Sequence, residues 1–317
     1  MKKEIGIFIL LVILCVVTGF ENPRFFSHAN LANTANLVGM RGIFSIGVGL
    51  VIITGGIDLS IGSMIALVGM LLVLALTEWH WAWPLATVFA LVVGMLLGLA
   101  HGVLITRFRM QPFIVTLCGL LLYRGIARYI AHDMTKGFGD AAGFKTLQKL
   151  ASGDFHGVPS PFIILVVIAL IMWVVLHRSV YGRYLFAVGR NEEAARFSGV
   201  NTKWIVTTVY MLAGLLTGIS AILFAFYTNN VSPSSHGNFF ELYGIAAAVL
   251  GGCSLRGGEG SILGILIGTT LLLVLENLVN LLGIDSSLNF AVMGAVVLLG
   301  VLADQIIQGR GATRGAR

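Results

Sequence analysis

Long apolar runs separated by short polar segments set the rhythm of this chain. They recur at residues 1–20, 39–54, 61–76, 85–105, 112–131, 161–177, 204–227, 242–252, 261–282 and 288–306. About 20 apolar residues, coiled at ~1.5 Å each, cross the ~30 Å hydrocarbon core of a bilayer. The pattern predicts an all-α polytopic membrane protein of about ten transmembrane helices, the shortest of them broken or tilted. The first run has the look of a signal peptide, with Lys2 and Lys3 ahead of apolar residues. No small-x-small site closes it, so it reads as a retained first span. The polar, amphipathic stretch 21–36 is expected to rest on the outer surface.

Composition agrees. Of 317 residues, 57% are hydrophobic and 11% charged, and the mean hydropathy is +0.94. Soluble domains carry about one quarter charged residues, so the solvent here is lipid. The net charge of +6 could suggest nucleic acid, but the position of the charges explains it better. An even number of spans puts both termini on one side. With that side cytoplasmic, its segments hold Lys2 and Lys3, then Arg107 and Arg109, then Arg178, Arg183, Arg190, Arg196 and Lys203, then Arg310, Arg314 and Arg317. The longest external loop, 132–160, balances Lys136, Lys145 and Lys149 against Asp133, Asp140 and Asp154. That asymmetry is the positive-inside pattern. It predicts one transmembrane domain over 1–317 with cytoplasmic termini, a basic cytoplasmic tail at 307–317, and no nucleic-acid partner. Cys15, Cys118 and Cys253 lie in apolar runs without CxxC spacing, and read as packing residues.

The polar segment 178–204 is the largest basic surface open to a soluble partner. Its core, NEEAARFSG, reads as a short helix. Asn191 is the N-cap, Glu192 and Glu193 lie in the first turn, Ala194, Ala195 and Arg196 follow, and Gly199 is the C-cap. Two turns are too short to stand alone, which suits a docking peg held by its flanks. An ordinary basic loop that only sets orientation is the competing reading.

Glycines recur four apart at Gly94, Gly98 and Gly102, at Gly260, Gly264 and Gly268, and at Gly214 and Gly218. Such faces let helices approach closely where lipid offers no hydrophobic drive. Two stretches interrupt the runs: TGGIDLSIGS at 54–63 and GGCSLRGGEGS at 251–261. Gly55 and Gly56 loosen the backbone, while Asp58 and Ser60 can cap the following helix. Each stretch is either a tight loop at the cytoplasmic surface or part of the inner end of a translocation route or its gate. Within the last runs, Glu276 must face a bundle interior or cavity. Asn277 and Asn280 offer donors and acceptors to a hydroxyl-bearing ligand, or bond between helices. Arg124 and Arg128 read as snorkelling to an interface, and His101 as a packed polar group. No GxxxxGK[ST], HExxH or GxSxG occurs, and no carboxylate pair is placed for hydrolysis. The chain is therefore expected to be no enzyme, to bind no metal or cofactor, and to house no ATP site.

Taken together, GGIDLSIGS (55–63), QPFIVTL (111–117), Arg124–Gly125, YGRYLFAVGRNEEAARFSGVN (181–201), AAVLGGCSLRGGEGSILG (247–264) and ENLVNLLG (276–283) resemble the permease subunit of sugar-importing ABC transporters. The subclass is that for ribose, xylose, arabinose and galactose-type monosaccharides, in the branched-chain-permease-like superfamily. The likeness covers nearly the whole chain in order and spacing. It implies a type II importer architecture in a bacterial inner membrane and a second permease copy. It also implies a periplasmic sugar-binding protein and a cytoplasmic ATPase that binds ATP and magnesium. It makes 191–199 the coupling helix that fits the ATPase. Gly55, Gly56, Asp58, Ser60, Asn277 and Asn280 are the candidates for the route or its gate from the residues themselves. The chain departs from the usual family pattern at Arg190, Cys253 and Glu276, where Gly, Thr and Asn are common, which leaves the sugar open. An ion-coupled secondary transporter and a non-transporting scaffold are the rival readings.

Overall fold

The computed structural model describes residues 2–139, 142–285 and isolated positions between 288 and 298. The predicted last run, 288–306, falls largely outside the described residues, and the tail 307–317 wholly so. Helix α1 (Lys2–Glu21) leads through a 3-10 turn at Pro23–Phe26 into α2 (His28–Ile53). A non-helical break precedes α3 (Ile61–Thr77), α4 (Trp83–Arg107) and α5 (Pro112–Ile130). The external-loop region folds as β1 (Lys136–Gly137), a 3-10 turn, α6 (Lys145–Ser152), β2 (Asp154–Phe155) and β3 (Val158–Pro159). Then come α7 (Ser160–His177), α8 (Val180–Arg190), α9 (Glu192–Phe197), α10 (Thr202–Thr228), β4 (Asn230–Val231), α11 (Phe240–Leu250) and α12 (Ile262–Leu281).

Among the described residues, seven helices are long and apolar enough to cross a membrane: α1, α2, α4, α5, α7, α10 and α12. Helices α3 and α11 are apolar but shorter. At ~1.5 Å per residue, α11 is about 16 Å long, roughly half the hydrocarbon depth. Helices α2, α3 and α10 form the buried centre: α3 buries nearly every side chain, and α2 is buried from Val38 to Ile53. Helix α4 packs on α10, α5 on α3, α7 on α2, and α11 and α12 on α2 and on each other. Helix α1 packs chiefly on α12 and leaves its apolar side chains outward, as a lipid-facing helix should.

The glycine ridges are where the helices touch. A Cβ on Gly98 would collide with the Tyr210 carbonyl, and one on Gly214 with the Gly94 carbonyl. Across the other crossing, Gly264 meets Gly251, and Gly268 meets the Ala247 carbonyl. Gly260 lies outside the helices, in the break before α12.

One expectation needs correction. The stretch 21–36 does not simply rest on a surface, because its second half is the start of α2. Asn30 and Thr34, which make it look polar, are bonded across to Asn277 of α12. The loop 132–160 carries short structure around its turns, as its Gly and Pro positions allow: its β1 pairs antiparallel with β4, and β2 with β3.

Gly98→Val is expected to destabilise the bundle by about 1–3 kcal/mol through overpacking against α10. Gly125→Ala, with nothing within 4 Å of the added carbon, should stay within about 0.5 kcal/mol. Thermal unfolding in detergent checks both, and equal midpoints would contradict the packing.

Candidate functional site

The segment that links α7 to α10 is built from local capping. Ser179 accepts the Gly182 N–H at 3.1 Å and starts α8. Asn191 is extended (φ −162°) and accepts the Ala194 N–H at 2.9 Å, which starts α9. Gly199, at φ +87°, ends it: its N–H donates to Arg196 O at 3.0 Å, and Val200 N–H to Ala195 O at 3.1 Å. Asn201 then accepts the Trp204 N–H at 3.1 Å and starts α10. Only Ala195 of α9 is buried, so Glu192, Glu193, Ala194 and Arg196 stand exposed with Asn191 and Gly199. Phe197 is 83% exposed, under the Arg196 guanidinium at 5.6 Å. Sequence reasoning passed over this ring. An exposed aromatic beside charges has the make of an interface anchor.

The base of this knob touches both glycine-rich breaks. The Gly258 N–H donates to Ile53 O at 2.8 Å, tying the end of α2 to the second break. Gly189, three residues before α9, packs on that bond: a Cβ there would run into Ile53 O and stand 2.6 Å from Gly258 N. A Cβ on Gly257 would lie 2.5 Å from Gly189 O and 3.0 Å from Gly55 N. Gly55, Gly257 and Gly258 all have φ between +75° and +82°, which side-chain-bearing residues rarely adopt. Three chain segments therefore meet backbone to backbone directly beneath α9.

From this joint, 56–60 runs as an irregular, largely buried segment to the start of α3. Asp58 is 1% exposed and Ser60 0%, so the segment is no surface loop. Gly56 passes against Tyr210, whose hydroxyl would lie 2.6 Å from an added Cβ. Ile57 O accepts from the Tyr210 hydroxyl at 3.3 Å and the Thr116 hydroxyl at 3.2 Å. Asp58 accepts the Ser60 N–H at 2.8 Å and its hydroxyl at 2.6 Å. The expected capping by Ser60 is absent, since its side chain makes no cap bond to α3. Gly62, in the first turn of α3, instead abuts Gly237 and the Glu241 carboxylate of α11. Behind the break, His101 Nε2 and the Tyr123 hydroxyl lie 2.8 Å apart, both buried. The second break differs. It is a string of turns, with Leu255 53% exposed and Cys253 buried beneath it.

Asn277 and Asn280 do not join this group. Asn277 bonds Asn30 at 2.8 and 3.3 Å and Thr34 at 3.3 Å, near the far end of α2. Asn30 and Ile53 are 23 residues apart, about 34 Å of helix. Asn280 lies further still along α12. Glu276 is held by Arg41, with Nη1 to Oε2 at 2.6 Å. Arg41 also lies over the rings of Phe240 and Tyr243 at 5.3 and 4.9 Å. This cation sits inside a predicted span, and its signal in the sequence is an arginine and a glutamate in two separate apolar runs. Arg124 does not snorkel. It donates to Pro233 O at 3.1 Å and His236 O at 2.8 Å, pinning the turn that enters α11. Burial, and then Arg124, push the His236 imidazole down to about 3, so it is neutral.

The family model described as branched-chain amino acid transport system / permease component matches residues 30–301, and the chain belongs to that family. Among its relatives, the ribose import permease protein of Bacillus subtilis is 37% identical, covering 96% of this chain and 93% of its own. The fructose import permease protein of Bifidobacterium longum is 32% identical, over 92% and 84%. The xylose transport system permease protein of Escherichia coli is 29% identical, over 95% and 91%.

Arg41→Met leaves Glu276 unpaired and is expected to destabilise by about 3 kcal/mol, the low end for a buried pair because the carboxylate is partly exposed. Arg41→Met with Glu276→Leu should recover most of that loss. Thermal unfolding of the four proteins in the cycle measures it, and strictly additive losses would show the pair to be uncoupled.

Proposed function

We propose that this chain is the membrane-spanning permease of an ATP-driven ABC importer that carries a monosaccharide, a ribose-like pentose or a related sugar. Full-length likeness to permeases named for ribose, fructose and xylose carries this reading. The capped knob α9 supports it, because a chain without a Walker loop needs a place to receive work.

In this reading the chain has ten spans with both termini cytoplasmic, lies in a bacterial inner membrane, and works beside a second permease copy. A sugar-loaded periplasmic protein docks on the side of the β1–β4 strand pair and the β2–β3 hairpin. ATP and magnesium bind only in the cytoplasmic ATPase subunits. Closure of those subunits moves α9, seated through Asn191 to Gly199 with Phe197 as its apolar anchor. The motion reaches Gly55, Gly56, Asp58 and Ser60 through the backbone joint at Gly189, and the two copies rock to open the route. Each step driven by a ligand requires that it bind the two states with different affinity. Asn277 is assigned to bundle cohesion, since its amide already serves Asn30 and Thr34; Asn280 remains a candidate for the route.

The test is reconstitution in vesicles with the cognate ATPase and sugar-binding protein. Uptake of ribose or a related sugar should need ATP and survive collapse of the membrane potential. Ion-driven uptake by this chain alone would overturn the reading. Glu193→Arg and Gly199→Trp should each lower coupled uptake by about tenfold or more, as expected for an interface hot spot, while membrane insertion stays normal. Wild-type uptake by both would remove α9 from the coupling role.

A further inference from the structure

A groove of about 570 Å³ opens between α1, α2, α7 and α12. Its walls include Phe8 and Leu11 of α1, Leu165 and Trp173 of α7, and Leu266 of α12. Among the described lining residues Thr270 brings the one hydroxyl, and that already donates to Leu266 O at 2.8 Å. Buried water needs about two to four polar partners, so this groove stays dry. Left empty, its walls would forgo their dispersion contacts on one side. An apolar chain is what fits.

Its length and one end say which chain. Helix α7 lines the groove from Phe162 to Trp173, eleven helical steps or about 16 Å. An acyl chain, which fills a leaflet's hydrocarbon depth of about 15 Å, is long enough to line it. At the Trp173 end, the exposed Arg178 holds its guanidinium 5.2 Å from the Trp173 ring. A cation therefore stands where the headgroup of a lipid in the groove would come. Helix α1 walls the groove but is buried over only 6% of its apolar window, so it leans on α12, and among the described residues the α7 side of the groove is left uncovered.

We propose that this groove holds an acyl chain of an anionic phospholipid, with its phosphate at Arg178. The site adjoins the second glycine-rich break. Ile262 and Leu263, the first residues of α12, line it, and Ser261 donates to Glu4 of α1. A bound chain therefore braces α1 against the start of α12. Lipid binding stands apart from the transport reading, and its test needs no uptake measurement.

The test is native mass spectrometry of the protein released from phosphatidylcholine bicelles doped with phosphatidylglycerol. The wild-type chain should keep bound phosphatidylglycerol, preferred over phosphatidylcholine by about fivefold, the effect of one cation near an anionic headgroup. Val166→Trp fills the groove from a position already 42% exposed and should lose the retained lipid. Leu170→Trp, 62% exposed, should do the same and serves should the first variant misfold. Arg178→Gln should keep lipid and lose the headgroup preference. A wild-type chain released bare, or seen only as a lipid-free dimer, would overturn the proposal. Undiminished lipid on a folded, groove-filled variant would do so too, and equal retention of both lipids by the wild type would remove Arg178 from the site.

Discussion

No water reaches the hydrocarbon core, so each backbone N–H or C=O opened there must find its bond inside the protein, at several kcal/mol for each failure. The chain leaves helical geometry at 54–60, in the middle of its most buried region, and its surroundings answer to that departure. Ile53 O receives the Gly258 N–H, Ile57 O receives the hydroxyls of Tyr210 and Thr116, and Asp58 takes both donors of Ser60. These helpers come from the second break, from α10 and from α5. A break fastened to so many elements cannot shift by itself, so any motion of it is a motion of the bundle.

The glycines serve the same end by a different route. Side chains give way under load, whereas main chain pressed on main chain does not. At the α4–α10 and α11–α12 crossings, bare backbone replaces the hydrophobic drive that lipid cannot supply. At Gly189 the same device sets the root of the exposed knob against both breaks. The proposed docking helix is thus continuous, through backbone, with the segment proposed to form the route.

Buried charge here is also a matter of fastening. Arg41 and Glu276 tie α2 to α12 within two aromatic rings, and Arg124 closes on the carbonyls of the turn before α11. Each holds a piece of chain that could not rest in lipid unaided. None of these groups lies at the knob, where charge is exposed and suited to meeting another protein.

What the sequence determined by itself is what depends on neighbours within a turn or two. Apolar runs became helices because run length alone decides whether a helix can cross lipid. Asn191 and Gly199 bounded α9 because capping uses bonds three or four residues long. The glycine spacing marked helix contacts, though not which helices would meet. Tertiary structure decided the rest. It continued α2 back to His28 because Asn30 and Thr34 find Asn277, some 240 residues away, and it paired Arg41 with Glu276 at a separation of 235. It gave Ile57 its donors and left Ser60 without a capping role. A polar residue in an apolar run states only that a partner is needed. Which partner answers is settled by the folded bundle, because lipid offers no alternative and the chain must supply the bond from wherever its helices happen to cross.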